Sequence, residues 1–275
     1  MKITIAHSPD PDDAFMHYAL LKGKIDTGPY QFEEVVSDIE SLNHAARAGC
    51  FEVTALSIHA YAYLFKRYAL LNHGASMGEG YGPMVVSREP MSLEDLAGQM
   101  VAIPGFWTTA ALTLGLAQPE AQTTFKPFDK ILQAVASGNV VAGVVIHEGQ
   151  LTYEDAGLQA VCDLGVWWAG VTGGLPLPLG GNAIRRDLGP HLEPVSRLLR
   201  ASIEYGLAHP EEALSYAERF GRGLDRARAE RFVQMYVNSR SLDYGEDGRQ
   251  AVRQLLQRGA QARIIPQVPE PEFLP

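Results

Sequence analysis

The stretch Val140-Val141-Ala142-Gly143-Val144-Val145-Ile146-His147-Glu148 constrains the fold of this chain more than any other. An unbroken apolar run rich in valine ends in a histidine and then an acid. Such a run reads as a strand buried on both faces, the kind found inside parallel sheets. In open α/β sheets a ligand sits beyond the carboxyl ends of the strands, and that is where His147 falls. An imidazole has an ordinary pKa of about 6.5, so it takes or gives a proton near neutrality. Two readings of His147 follow: a reacting group at a cleft, or a residue that caps its strand and bonds a loop.

The rest of the chain supplies the sheet. Lys2 to His7 alternates as a short strand, Ser8-Pro9-Asp10-Pro11-Asp12-Asp13 is a turn, and Phe15 to Lys22 is apolar at helical spacing. Asp10, Asp12 or Asp13 suits the helix N-cap, where acids complement the dipole. Phe32 to Val36 and Phe51 to Leu56 read as further strands, with a helix from Asp38 to near Gly49 between them. Gly74 to Pro83 reads as a glycine-rich loop leading into the strand Met84 to Ser87. A second α/β cycle opens at Ser92, whose spacing to Asp95 fits a capping box. It continues through a strand at Met100 to Ile103, the Thr108-Thr109 turn, helices at Ala110 to Ala117 and Asp129 to Ser137, and the His147 strand. Leu177 to Ile184 is an extended return, and helices dominate from Leu192. Alternating strands and helices predict a parallel α/β sheet. The chain leaves one lobe near residue 86 and returns near 183, giving a discontinuous lobe of 1–86 and 184–275 and a second of 87–183. Two lobes with two crossings and a central ligand cleft are the architecture of a two-lobed, periplasmic-binding-protein-like hinge fold.

With 275 residues, 46% hydrophobic and 20% charged, the chain has ample material for a core. A net charge of −9 argues against nucleic acid and anionic membrane as partners, since both need clustered Lys and Arg. A small anionic substrate stays open, because backbone N–H groups and helix N-termini hold anions without net charge. Cys50 and Cys162 stand far apart, fit neither a disulfide scaffold nor a zinc site, and read as small buried residues. Neither a secretory h-region nor a membrane-spanning run is evident, so a cytoplasmic protein is expected. Self-association as a homodimer is left open.

Four loop sites fall at strand ends, where a cleft would lie: Ser8 to Asp13, Ser57, Thr108 with Thr109, and His147 with Glu148. The Thr hydroxyls and first-turn N–H groups suit either a carboxylate or ordinary capping. Ser57 has the same two readings. The Asp10 to Asp13 loop lacks the spacing of a calcium loop, so no metal is expected. His147 lacks a serine or cysteine partner in a known elbow, and a lone base at a cleft fits proton abstraction or elimination better than triad hydrolysis.

Those sites, in that order, resemble the 1,4-dihydroxy-6-naphthoate synthase family of the futalosine route to menaquinone. The similarity runs over nearly the whole chain. It includes Ser8-Pro9-Asp10-Pro11-Asp12-Asp13-Ala14-Phe15, Leu56-Ser57 with Ala60-Tyr61-Ala62, and Gly82-Pro83-Met84-Val85-Val86. Pro104-Gly105 with Thr108-Thr109, Ile146-His147-Glu148 and Leu175-Pro176-Leu177-Pro178-Leu179-Gly180 continue it, and Tyr236-Val237-Asn238 closes it. The resemblance implies a type II periplasmic-binding-protein-like fold and a lyase that converts cyclic dehypoxanthinyl futalosine to 1,4-dihydroxy-6-naphthoate without metal or organic cofactor. It places the catalytic base at His147 and substrate contacts at Ala55, Leu56, Ser57, Thr108 and Thr109. Ser8, Asp13 and Glu148 are candidate cleft-lining residues, with Glu148 either orienting His147 or facing solvent. Two departures stand out. Some members carry a lysine where Ala55 stands, and the first loop is more acidic than the Ser-Pro-Cys-Pro-Asn-Asp form of other members. Chorismate dehydratase of the same pathway and a non-catalytic solute-binding protein of the same fold are the rival readings.

Overall fold

The computed structural model describes residues 1–221, 224–267 and 269–275. The strands are β1 (Lys2–His7), β2 (Gln31–Val36), β3 (Val53–Ser57), β4 (Tyr68–Gly78), β5 (Met84–Ser87), β6 (Met100–Ile103), β7 (Gln122–Phe125), β8 (Ala142–Val145), β9 (Gln159–Asp163), β10 (Leu177–Arg185) and β11 (Phe273–Leu274). They form two sheets, a six-stranded one ordered β11-β4-β10-β3-β1-β2 and a five-stranded one ordered β7-β6-β8-β5-β9. Each sheet has a parallel half, β2-β1-β3 and β7-β6-β8 respectively. Antiparallel neighbours complete them, with β10 between β3 and β4 and β5 between β8 and β9. The sheets are therefore mixed where the sequence pattern predicts parallel ones.

The valine run forms β8, central in its sheet and buried at all four positions. The strand is shorter than the run. Gly138 turns the chain at φ +75, and Val141, still 39% exposed, precedes the pairing of Ala142 with Val101. A larger difference lies at Gly74 to Gly78, expected as loop and found inside the eleven-residue β4. Gly74 is there because β10 comes close: at φ +70, a Cβ on it would stand 2.1 Å from Asn182 Nδ2. A glycine inside a strand often marks such a close approach. At Ser92 only half of the capping box forms: its backbone N–H and hydroxyl both donate to Asp95, and the single turn Glu94–Leu96 that follows has no side-chain cap. Cys50 is exposed, because it follows the left-handed Gly49 cap in the turn before β3, and Cys162 is half-buried.

The chain crosses between sheets at 79–83 and again at 173–176. Both crossings come before the 86 and 183 read from the sequence, because Met84–Ser87 already pairs with β8 and β9 and Leu177 with β4. One apolar cluster runs through both sheets, joining Leu56, Ile58 and Tyr61 to Val101, Val144 and Trp168. The helices Leu192–Ala208 and Pro210–Ala217 pack on the helix Pro11–Leu21, which fixes the loop that follows β1. Among the described residues no helix is long and apolar enough to cross a membrane.

The first crossing is held tightly against the helix Leu164–Thr172. A Cβ on Gly165 would lie 2.0 Å from the Tyr81 carbonyl oxygen. Gly165→Ala is expected to cost about 1–3 kcal/mol, the usual range for overpacking. An unchanged urea midpoint would contradict this packing.

Candidate active site

A cleft of about 720 Å³, counting its open mouth, lies between the two sheets. The carboxyl ends of β1, β3 and β8 supply Ser8, Ser57 and His147, and the start of the helix Thr109–Ala117 supplies Thr108 and Thr109. Ala55, Leu56 and Asp13 also border it, so nearly all the expected site residues meet in one place. Glu148 does not. It flanks the short helix Gly149–Thr152, with its carbonyl accepting from Leu151 N–H and the Thr152 hydroxyl.

The partner that orients His147 is Asp10. His147 Nδ1 lies 2.6 Å from Asp10 Oδ2, with the two side chains 12% and 3% exposed. Asp10 occupies the N-cap position of the helix Pro11–Leu21 but makes no side-chain cap bond. Its carboxylate instead reaches across the cleft, so capping, the expected role, is not what it does. His147 sits at φ +56, a left-handed backbone that costs a non-glycine residue roughly 1–3 kcal/mol unless its surroundings impose it. The Asp10 bond imposes it here, together with the Phe128 ring that packs edge-on at 5.0 Å. Nε2 is buried and has no hydrogen-bond partner among the described residues. A carboxylate on Nδ1 fixes the proton there and leaves the Nε2 lone pair as the basic site.

The loop after β1 concentrates negative charge. Asp13 Oδ2 accepts from the Ser8 amide at 3.0 Å and the Ser8 hydroxyl at 2.6 Å, and the same hydroxyl lies against Asp10 Oδ2. Burial, then the neighbouring charges of Asp13 and Asp10, pushes the Asp12 carboxyl well above the ordinary range. Burial also raises Asp13, against the lowering effect of His7 and the Ser8 bonds.

Around Ser57, Thr108 and Thr109 the cleft lining is polar but uncharged. Ser57 Oγ accepts from Asn43 Nδ2 and the Ser57 amide donates to Asn43 Oδ1, both at 3.1 Å. Both threonine hydroxyl hydrogens are committed to backbone carbonyls, Thr108 to Gly105 at 2.8 Å and Thr109 to Leu179 at 2.5 Å. Thr108 Oγ1 also caps the helix by accepting from Ala111. Of the two roles left open by the sequence, helix capping is the one Thr108 makes here, and each hydroxyl hydrogen is given to a carbonyl. The first-turn amides of Thr109 and Ala110 remain as donors, since no carbonyl within the helix can reach them.

Three lining residues were not among the site residues expected from the sequence, although Tyr236 stands in the Tyr236-Val237-Asn238 stretch that carries the resemblance. Asn182 stands directly opposite Ala55 in the β3–β10 register, 1% exposed, with its side-chain nitrogen unpartnered. Gln150 and Tyr236 meet across the cleft, the tyrosine hydroxyl donating to Gln150 Oε1 at 2.9 Å. The residues lie far apart in sequence, and only the register of β10 or the approach of two helices brings them together.

Comparison with known proteins shows what the chain is similar to. A family model described as menaquinone biosynthesis matches residues 3–261. A Thermus thermophilus protein named 1,4-dihydroxy-6-naphtoate synthase is 41% identical over 273 residues, covering 99% of both chains. A Streptomyces coelicolor protein of the same name is 36% identical, covering 96% of this chain and 95% of its own. Among solved structures, an Archaeoglobus fulgidus protein superposes with a TM-score of 0.91 at 47% identity, over 96% of this chain and 98% of that one. The alkanesulfonate-binding protein of Xanthomonas axonopodis pv. citri, solved with MOPS, has a TM-score of 0.70 at 13% identity, over 97% and 94%. The last likeness is one of fold, and it makes this the periplasmic-binding-protein-like architecture.

Asp12 offers a test of the buried charge. A carboxyl raised in the folded state favours folding below its unfolded pKa and loses that contribution as pH rises through the raised value. Asp12→Asn is therefore expected to melt higher than the parent at pH 7, with the gap closing as pH falls toward the ordinary Asp range. A gap that stays constant from pH 4 to 8 would contradict it.

Proposed function

The chain belongs to the menaquinone-biosynthesis family, and we propose that it converts cyclic dehypoxanthinyl futalosine to 1,4-dihydroxy-6-naphthoate. The observation that carries the reading is His147: a strained, buried imidazole at the end of β8, held by Asp10 through Nδ1 and unpartnered at Nε2. A transport receptor needs no such group. A base placed beside a substrate C–H does.

In this reading the two sheets with their helices are the two lobes, and the substrate is held between them. Its carboxylate lies against the Ser57 hydroxyl and the amides of Thr109 and Ala110. Nε2 of His147 removes a proton from the bound ring system. Elimination of the sugar-derived fragment follows, and aromatisation makes the sequence irreversible. The Asp10 carboxylate stabilises the imidazolium that forms. Asn182, beside the small Ala55, offers an amide to a substrate oxygen. The bonds from the Tyr236 hydroxyl to Gln150 and from Arg228 to Asp155, 2.9 and 2.7 Å, hold the segment after His147 against the helix Arg226–Tyr236. Proton abstraction and elimination are redox-neutral, and the acceptor and donors they require are side chains and amides of this chain. We place the enzyme in the cytoplasm, where its product enters a biosynthetic route.

The test is naphthoate formation from cyclic dehypoxanthinyl futalosine by purified protein. His147→Ala is expected to lose at least ~100-fold in kcat, the low end for general acid–base catalysis. A folded wild-type protein that binds carboxylates without turnover would overturn the assignment in favour of a receptor. Asn182→Ala is expected to raise KM about three- to tenfold, the worth of one hydrogen bond, with kcat changed less. An unchanged KM would remove Asn182 from the substrate contacts.

A further inference from the structure

We infer that His7 is a buried imidazolium, the countercharge that lets the Ser8–Asp13 loop hold Asp10 and Asp13 as carboxylates beside His147. This deepens the reading of His147 as base and assigns His7 as a positioning residue that acts through the loop.

The hydrogen bonds dictate the charge. His7 ends β1 and is fully buried. Its Nδ1 lies 2.7 Å from the Ser8 carbonyl oxygen, which only accepts, so Nδ1 carries a hydrogen. Its Nε2 lies 2.9 Å from Glu34 Oε1. That oxygen also accepts the Tyr216 hydroxyl at 2.9 Å, and Glu34 is partly exposed. The His7 bond, with help from Tyr216 and against partial burial, holds the Glu34 carboxyl below its ordinary range. A carboxylate only accepts, so Nε2 carries a hydrogen too. A ring that donates from both nitrogens is positively charged.

The surroundings agree. Asp13 and His17 face the ring from the helix Pro11–Leu21, Glu34 faces it from β2, and Phe220 covers it at 5.9 Å. Lys22 acts on Glu34, and Tyr216 reaches Glu34 from the helix Pro210–Ala217. Burial opposes the charge on His7, but the Glu34 bond, the Asp13 charge and the Ser8 carbonyl outweigh it. His17, with centroid 5.2 Å away, is pushed the other way, by burial first and then by His7 and His73. One ring of the pair is thus charged and its neighbour neutral.

From His7 the contacts lead to the base. Asp13 accepts two bonds from Ser8, the Ser8 hydroxyl lies against Asp10, and Asp10 holds His147. Without the cation, two carboxylates in contact through one hydroxyl would take up a proton at higher pH, and Asp10 would lose its hold on Nδ1.

The decisive measurement is the nitrogen-15 NMR signature of His7 in the folded, substrate-free wild-type protein at pH 7. Two protonated ring nitrogens are expected, and a neutral single tautomer would overturn the inference. This readout stands whether or not the protein turns over futalosine-derived substrate. His7→Gln, which keeps one donor and removes the charge, is expected to move the acidic limb of kcat/KM upward by about one pH unit, a tenfold loss on that limb. A folded His7→Gln with an unmoved acidic limb would overturn the positioning role.

Discussion

The contact between Asp10 and His147 is the constraint on which the site depends. It joins the loop after β1 to the end of β8, and so ties one sheet to the other across the cleft. A carboxylate removed from water costs several kcal/mol unless it is paired and hydrogen-bonded. Asp10 meets both conditions only while the two sheets are close, with the Ser8 hydroxyl on one side and the imidazole on the other. On the proposed function, bringing the two sheets together and positioning the base are therefore one event. Separation of the sheets would leave Nδ1 of His147 and the Asp10 carboxylate to water and relieve the left-handed backbone at His147.

The charge around the cleft is uneven. Asp10, Asp12 and Asp13 crowd the loop after β1, and uncharged side chains line the cleft at Ser57, Thr108 and Thr109. On the proposed function, the substrate carboxylate sits at Ser57 and the helix amides, and its reactive C–H at His147. No lysine or arginine lines this cleft among the described residues. On the proposed function, recognition by amides in place of a cation suits a base that must take up a proton, since a nearby fixed positive charge would lower the affinity of the imidazole for it.

The sequence exposed the strand-end residues and hid the cross-strand ones, for a physical reason. Periodicity and turn chemistry are local, so β8, the Thr108 cap and the helix after the Ser8 loop were all legible near their true bounds. The β4 strand was not, because Gly74, Gly78 and Gly80 carry turn-forming chemistry, and only the close approach of Asn182 explains a glycine inside a strand there. Asn182 opposite Ala55 is a matter of register between strands more than a hundred residues apart. Asp10 shows the limit most clearly. Its position marks a helix N-cap, and a local rule assigns its carboxylate to the helix amides. A distant imidazole provides the better partner, and the local rule loses.

Fold alone does not separate an enzyme from a receptor here, since the alkanesulfonate-binding protein shares the architecture at 13% identity. The difference lies in what stands at the end of β8. A receptor gains affinity from relaxed, satisfied donors, and a strained backbone would subtract from its stability without adding a contact. At His147 the strain places a titratable ring against a carboxylate on one side and leaves its other nitrogen bare. That arrangement binds no anion well, because Asp10 stands behind it. On the proposed function it gains its value when a proton is transferred and the imidazolium meets the charge already waiting for it, and stabilising a species that exists only during turnover is the work of a catalyst.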